Sequence, residues 1–399
     1  MLQFVEPSPE LKDDPCAELR RGGLDCTEEV EAARQKAPES RTIFVNGMLA
    51  AGLAVLAAAA VIWVPFLEPI RDRFANTEPG WVVAAFVLQL LSVLSFVVAL
   101  RGAFERRLGW RESFDVGVVE ESANVFLPSG GSGGLALGAV ILIRSGIPSA
   151  FAASRSAVLF LVTSAVSGGA LIVFGLLEAA NLLPGDADLT QTLIPGLAGA
   201  FIVGAIIVLP RAIPQLDADK GGKVRRAIAL AQAWLVGTVD TSIEMVLGRR
   251  EVLLIAGSIG YYAFDVASMG AAFEALGGGG PALGLFVLAY TIGHAGAIIP
   301  LPGSAEGGLV GAFTLYGSSL SLAVSGILLY RVFHAGVPFL LGALGLADMG
   351  RQRRRAGTIV PEVDPALTGG DGATSDGAAP SAGAAAAAEP SKDRSERVA

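Results

Sequence analysis

Two nine-residue stretches hold the densest set of groups able to receive an anion: Leu127-Pro-Ser-Gly-Gly-Ser-Gly-Gly-Leu135 and Leu301-Pro-Gly-Ser-Ala-Glu-Gly-Gly-Leu309. Both read L-P-x-x-x-x-G-G-L, 174 positions apart, and an internal repeat is the simplest origin. In each, proline stops one helix and a glycine pair opens the next. Backbone N–H groups and the positive end of the helix dipole can therefore face a phosphate. Ser129, Ser132 and Ser304 add hydroxyls at the break, and Gly130, Gly131, Gly133, Gly134, Gly303 and Gly307 let a ligand approach the main chain. The same glycines equally serve close helix packing and a sharp bend. No Gly-Lys-Ser/Thr follows either stretch, so a nucleotide P-loop is excluded.

A second set of polar residues lies inside apolar runs. Arg331 falls about eleven residues into the last run, near mid-membrane at about 1.5 Å per residue. There an arginine costs at least about 2.5–3.5 kcal/mol and must face a partner or a cavity. A lipid phosphate is the functional partner, and Glu306 or Asp265 the structural one. Glu306 takes the place of Ser132 in the second stretch, where capping of the helix start and ligand contact both stay open. Asp265 is equally deep, with Tyr261 and Tyr262 beside it, and is either a paired structural acid or a proton relay. His294 and His334 are the only histidines, and His334 shares a helix face with Arg331. Arg144 and Arg155 fall at helix ends, where snorkelling accounts for them, although Arg144 follows the first glycine tip closely enough to catch a head group.

The elements that must position these groups are membrane helices. The 399 residues are 52% hydrophobic and 17% charged, against about 25% charged in soluble domains. Full spans are expected at residues 43–67, 80–100, 157–183, 193–209, 252–273 and 320–346, each near the length that crosses a core about 30 Å thick. Residues 116–143 and 281–316 are apolar but broken at Pro128 and at Pro300 and Pro302. Residues 227–248 carry an amphipathic pattern expected of an interfacial helix on the cytosolic side. Residues 1–42 form a polar, mostly disordered cytosolic arm and 350–399 a disordered Ala/Gly-rich tail. Cys16 and Cys26 have no metal-ligand spacing and read as reduced thiols; no cleavable leader precedes the first span.

Basic residues cluster at 34–41, 101–111, 211–226, 249–250 and 351–355, whereas loops 178–191 and 274–280 carry acids and no Lys or Arg. The positive-inside rule then places both termini in the cytosol and makes the broken segments re-entrant hairpins that enter from opposite faces. The expected fold is an all-α integral membrane protein of six spans and two inverted re-entrant hairpins. Irregular backbone at membrane depth requires a surrounding cavity, so the tips should meet near the midplane, as in transporters built from inverted repeats.

Asn124-Val-Phe-Leu-Pro-Ser-Gly-Gly-Ser-Gly-Gly134 with Leu142-Ile-Arg-Ser-Gly146, Pro300-Leu-Pro-Gly-Ser-Ala-Glu-Gly-Gly-Leu309, and Leu328-Leu-Tyr-Arg-Val332 together resemble the transmembrane region of the lysylphosphatidylglycerol synthase, or flippase-like, family. The resemblance spans roughly residues 43–349 and implies translocation or handling of a lipid head group in a bacterial inner membrane. It carries Arg144, Glu306 and Arg331 over as functional positions, with Asn124 and Pro302 inside its motifs. Only Gly303, Ser304 and Ala305 separate Pro302 from Glu306, a shorter glycine run than the family usually has. Residues 351–399 are too few and too polar for the family's soluble aminoacyl-transferase domain, so lysyl transfer is not expected.

The function expected from these features is a flippase or polar-lipid transporter that binds an anionic phospholipid, needs no cofactor or metal and does not engage nucleic acid. A second copy of the chain or a separate lipid-modifying enzyme is the expected protein partner. An intramembrane enzyme acting on lipid phosphates or polyprenyl carriers is a competing class, as is a scaffold or ion pathway. The absence of metal spacing and of a paired carboxylate motif counts against the enzyme.

Overall fold

Long apolar runs can satisfy their backbone N–H and C=O groups inside a membrane only as helices, and the computed structural model is helical at every regular element it describes. It describes residues 68–126, 132–145, 147–185, 188–212, 223–248, 251–298 and 303–358. The helices are α1 (Glu68–Ala75), α2 (Pro79–Ala103), α3 (Trp110–Phe126), α4 (Ser132–Arg144), α5 (Ser149–Ala179), α6 (Leu189–Ala212), α7 (Lys223–Leu247), α8 (Val252–Ala275), α9 (Leu283–His294), α10 (Ser304–Leu315) and α11 (Leu320–Thr358). A 3-10 turn, Ala295–Ile298, follows α9. Contacts group Met1–Gln352 as one unit and Arg353–Ala399 as a second, whose described part is the end of α11.

Five of these helices, α2, α5, α6, α8 and α11, are long and apolar enough to cross a membrane. They match five of the six expected spans; the one at 43–67 lies outside the described residues, as do the arm at 1–42, the tail from 359, and Ser129, Gly130, Gly131 and Pro302. The outward face of α6 exposes Ile194, Leu197, Phe201, Ile202 and Val208, an apolar surface suited to lipid. One boundary differs from expectation, because α11 continues to Thr358 rather than ending near 350. Arginine, glutamine and alanine are good helix formers, and basic residues at a helix C-terminus interact favourably with its dipole.

The order long helix, two short helices, long helix occurs twice, as α2–α3–α4–α5 and as α8–α9–α10–α11. The corresponding helices α2 and α8 pack along their length. A Cβ on Gly102 would lie 2.2 Å from the Leu254 nitrogen, and one on Gly257 would lie 2.4 Å from that of Ala99. Ser92 donates to the Tyr261 carbonyl at 2.9 Å, and Ser268 to that of Ala85 at 2.9 Å. Residue numbers rise on one helix as they fall on the other, so the two run antiparallel.

The short helices pair in the same sense. Gly134 of α4 faces Asn124 of α3 while Gly138 faces Glu120, and Gly308 of α10 faces Gly293 and Gly296. Gly134 and Gly308 occupy equivalent repeat positions, and at both the close approach requires glycine. Two cores follow. One holds α3, α4 and the adjoining ends of α2, α5 and α8 with Met245 of α7. The other holds α9, α10 and the facing parts of α8 and α11 around the Phe273, Phe286 and Phe313 rings.

At the α2–α3 turn, Glu105 and Arg106 adopt φ of 52° and 60°, a left-handed conformation that costs non-glycine residues roughly 1–2 kcal/mol each. Side-chain contacts hold the turn. Glu105 binds Arg155 at 2.6 Å, Arg107 and Arg155 lie over the Phe151 ring, and Arg101 lies over Trp110. Arg155, expected to snorkel, is instead 14% exposed and paired, because this turn supplies it with a carboxylate.

Glu251, just before α8, lies 3.4 Å from Arg106. Burial pushes its carboxyl above the ordinary range, with Arg106 opposing that shift only in part. A raised carboxyl favours its protonated form in the folded state, so the stability it contributes is present at acid pH and lost as pH rises through the raised value. Glu251→Gln is therefore expected to melt higher than wild type at neutral pH, with the difference gone below about pH 4. Thermal unfolding in detergent at both pH values checks this, and a lower neutral-pH melting point would mean the Arg106 pair outweighs burial.

Candidate functional site

Asp265 lies mid-way along α8 and is 4% exposed, so its carboxylate needs partners. Tyr290 of α9 donates to Oδ2, and Tyr330 of α11 donates to the same oxygen at 3.0 Å. His334, one helical turn beyond Tyr330, places Nδ1 3.4 Å from Asp265 Oδ1 and 2.9 Å from the Tyr330 hydroxyl. Because the single Tyr330 proton goes to Asp265, its oxygen is free to accept from His334 Nδ1–H. His294 Nδ1 lies 2.9 Å from the Tyr290 carbonyl, which can only accept, so that ring also carries its proton on Nδ1.

These groups border a cavity of about 250 Å³ lined by Ser167, Tyr261, Tyr262, Asp265, Tyr290, Thr291, His294 and His334. The cavity lies where the two cores meet, with Tyr261 packed on one and Tyr262 on the other. Four of the chain's five tyrosines reach it or its carboxylate. Pro338, one turn beyond His334, cannot donate to the His334 carbonyl, which loosens α11 beside the cavity.

Arg331 adjoins Tyr330 and sits 3.0 Å from Glu306 of α10, with side chains 22% and 44% exposed. The contact has the distance of an ion pair, but the buried Nε–H is not aligned as a hydrogen bond. Of the two structural partners expected for Arg331, the structure chooses Glu306; Asp265 turns instead to His334 and two tyrosines. Those tyrosines are also not the expected ones. Tyr261 donates to Glu121 at 2.8 Å and Tyr262 meets the Thr291 hydroxyl at 2.6 Å, because their hydroxyls reach across to α3 and α9 rather than back to Asp265 on the same helix.

The glycine tips differ from expectation in one respect. The Gly134 N–H donates to Asn124 Oδ1 at 3.0 Å and the Gly307 N–H to the Gly303 carbonyl at 2.8 Å, so neither amide is free for an anion. Internal satisfaction is what a low-dielectric surrounding demands. Gly303 itself takes φ 82° before α10, a conformation that favours glycine. Ser304 and Glu306 occupy the first turn of α10. Ser132, Gly133 and Arg144 lie on the α4 backbone, and their side chains are outside the described residues.

Sequence reasoning missed Glu120 and Glu121 of α3, which are 0% and 3% exposed. Both Glu120 carboxyl oxygens and Glu121 Oε2 lack a hydrogen-bond partner. Two adjacent acids in the otherwise apolar and small run 116–126 were the available signal.

A buried acid, two histidines and three tyrosines around one cavity, with a fourth tyrosine on the acid and an arginine pair beyond it, can hold a small polar group against lipid-facing helices. The family model described as the lysylphosphatidylglycerol synthase TM region matches residues 49–342, which takes in both short-helix pairs and every helix around the cavity. The chain belongs to this family. No curated protein matches it. Membership in the lysylphosphatidylglycerol synthase TM region family identifies a multi-pass membrane protein of lipid-related function.

Proposed function

We propose that the protein binds the head group of an anionic phospholipid beside Arg331 and carries it across the membrane, without covalent chemistry of its own. The observation that carries this reading is the half-exposed Arg331–Glu306 pair next to a polar cavity at the centre of apolar helices. A resident carboxylate holds the arginine when no lipid is bound, and a phosphate can displace it. The phosphate belongs at Arg331 rather than beside Asp265, which would repel it. A hydroxyl-bearing remainder such as phosphoglycerol finds acceptors and hydroxyls in the cavity. At about 250 Å³ the cavity is smaller than sites for drug-sized ligands, about 300–1,000 Å³, so it suits a head group whose acyl chains stay in the bilayer.

In this reading the two short-helix pairs are re-entrant and enter from opposite faces, six helices span a bacterial inner membrane, and both termini are cytosolic. A separate lipid-modifying enzyme or a second copy is the partner. Liposomes of phosphatidylcholine and phosphatidylglycerol with a fluorescent phosphatidylglycerol test the proposal. The full chain should expose inner-leaflet label to external dithionite, and protection equal to that in protein-free liposomes would refute it.

A further inference from the structure

The cavity belongs to a longer polar series that joins the two pairs of short helices. On α3, Asn124 accepts from the Gly134 N–H and lies one helical turn beyond Glu121. Glu121 Oε1 accepts from Tyr261, whose ring lines the cavity. Across the cavity stand Asp265 and His334, joined to each other and to Tyr330. Arg331 follows Tyr330 and pairs with Glu306 on α10. The series thus runs from a fully buried carboxylate to a partly exposed one; its carboxyls, imidazoles and hydroxyls can gain and lose protons, whereas Arg331 stays charged and only sets the field beside them. Glu121 Oε2 has no partner, an expensive arrangement for a buried acid whose only role is packing.

We propose that this series is a proton path, with Glu121 and Glu306 at its ends and Asp265 and His334 at its centre, and that it couples lipid movement to a proton gradient. The coupling rests on the lipid-transport reading. A proton taken up on one side passes by way of Glu121, the cavity and His334 and leaves by way of Glu306. Each carboxylate and imidazole returns to its starting state after one turnover.

The groups facing the relay are defined on every element around it. Helix α8 contributes Tyr261, Tyr262 and Asp265, and α9 contributes Tyr290 and His294. Helix α11 brings Tyr330, Arg331 and His334, while α10 brings Glu306. Helix α3 brings Glu121 with its neighbour Glu120, whose Oε2 abuts Gly138 of α4. Helices α2 and α5 bring no charged group to it among the described residues and offer the Ser92 and Ser167 hydroxyls, with Gln89 buried on α2. A path of alternating acids, imidazoles and hydroxyls is the usual form of an intramembrane proton relay.

Pyranine-loaded liposomes of phosphatidylcholine and phosphatidylglycerol, with fluorescent phosphatidylglycerol as the moving probe and the membrane potential clamped by potassium and valinomycin, separate the two claims. A pH step should drive proton entry together with lipid movement in wild type, and reversing the step should reverse the net direction of the lipid. Glu121→Gln and Asp265→Asn should cut both fluxes by roughly tenfold or more, the scale of lost proton transfer. Tyr261→Phe removes only a hydroxyl and keeps the ring beside Phe96, so it tests the relay in a chain whose packing is retained. Its loss of proton flux at an unchanged melting temperature supports the path. Lipid movement that ignores the gradient, with no proton flux above protein-free liposomes, overturns the relay and leaves transport standing. Proton flux without lipid movement overturns the coupling and the transport reading together.

Discussion

Arg331→Gln is expected to weaken binding of a short-chain phosphatidylglycerol by roughly ten- to hundredfold, the loss of one charged hydrogen bond worth about 1.5–3 kcal/mol. Glu306→Gln should act in the opposite direction. In the free protein the Glu306 carboxylate holds Arg331 at 3.0 Å, so a phosphate must displace it before binding. Removing that charge leaves the guanidinium available and tightens binding, while release slows and translocation falls. Folding should survive the change, since Glu306 is 44% exposed and an exposed ion pair is worth about 0–1 kcal/mol. Calorimetric titration of detergent-solubilised protein with dihexanoyl phosphatidylglycerol reads both signs. Equal weakening by the two substitutions would mean that the pair acts as a structural unit and that no phosphate competes for it.

The second large effect is on stability. A Cβ on Gly134 would lie 2.2 Å from Asn124 Oδ1 and 2.2 Å from the Glu120 carbonyl oxygen, and the carbonyl is backbone that cannot turn aside. Overpacking costs about 1–3 kcal/mol. The displaced Asn124 hydrogen bond adds about 1 kcal/mol, a similar amount to what alanine returns through helix propensity. Gly134→Ala should therefore destabilise the protein by about 1–3 kcal/mol. Gly307→Ala should not, because nothing lies within 4 Å of its Cβ and alanine favours the helix by up to about 1 kcal/mol. Thermal unfolding of the two variants side by side decides the matter; similar losses would show that the glycine pairs have roles other than this contact.

That contrast divides the glycines of each pair, a division their identical sequence conceals. In the first pair Gly134 meets the facing helix, and in the second Gly308 does, with a Cβ that would come 2.5 Å from the Gly293 carbonyl. Gly307 faces open space. Sequence reasoning left packing and ligand binding open for all four positions. Packing now accounts for Gly134 and Gly308, and ligand approach remains a role available to Gly307.

The sequence by itself determined the helical class, five spans among the described residues, the breaks in two apolar segments and the family. Those features are local: length, apolar content, proline and glycine spacing act within a few turns of one helix, and a membrane admits few ways to satisfy the backbone. It also marked Asp265, Arg331 and His334, because an ionisable residue in an apolar run carries a cost visible without coordinates. Only the tertiary structure decided who pairs with whom. Glu306 rather than Asp265 meets Arg331, Tyr290 and Tyr330 rather than Tyr261 and Tyr262 meet Asp265, and Glu121 reaches Tyr261 from 140 residues away. Such partners are set by which faces of separate helices are brought together, and the close glycine seam between α2 and α8 fixes that choice. No periodicity within a single helix records it.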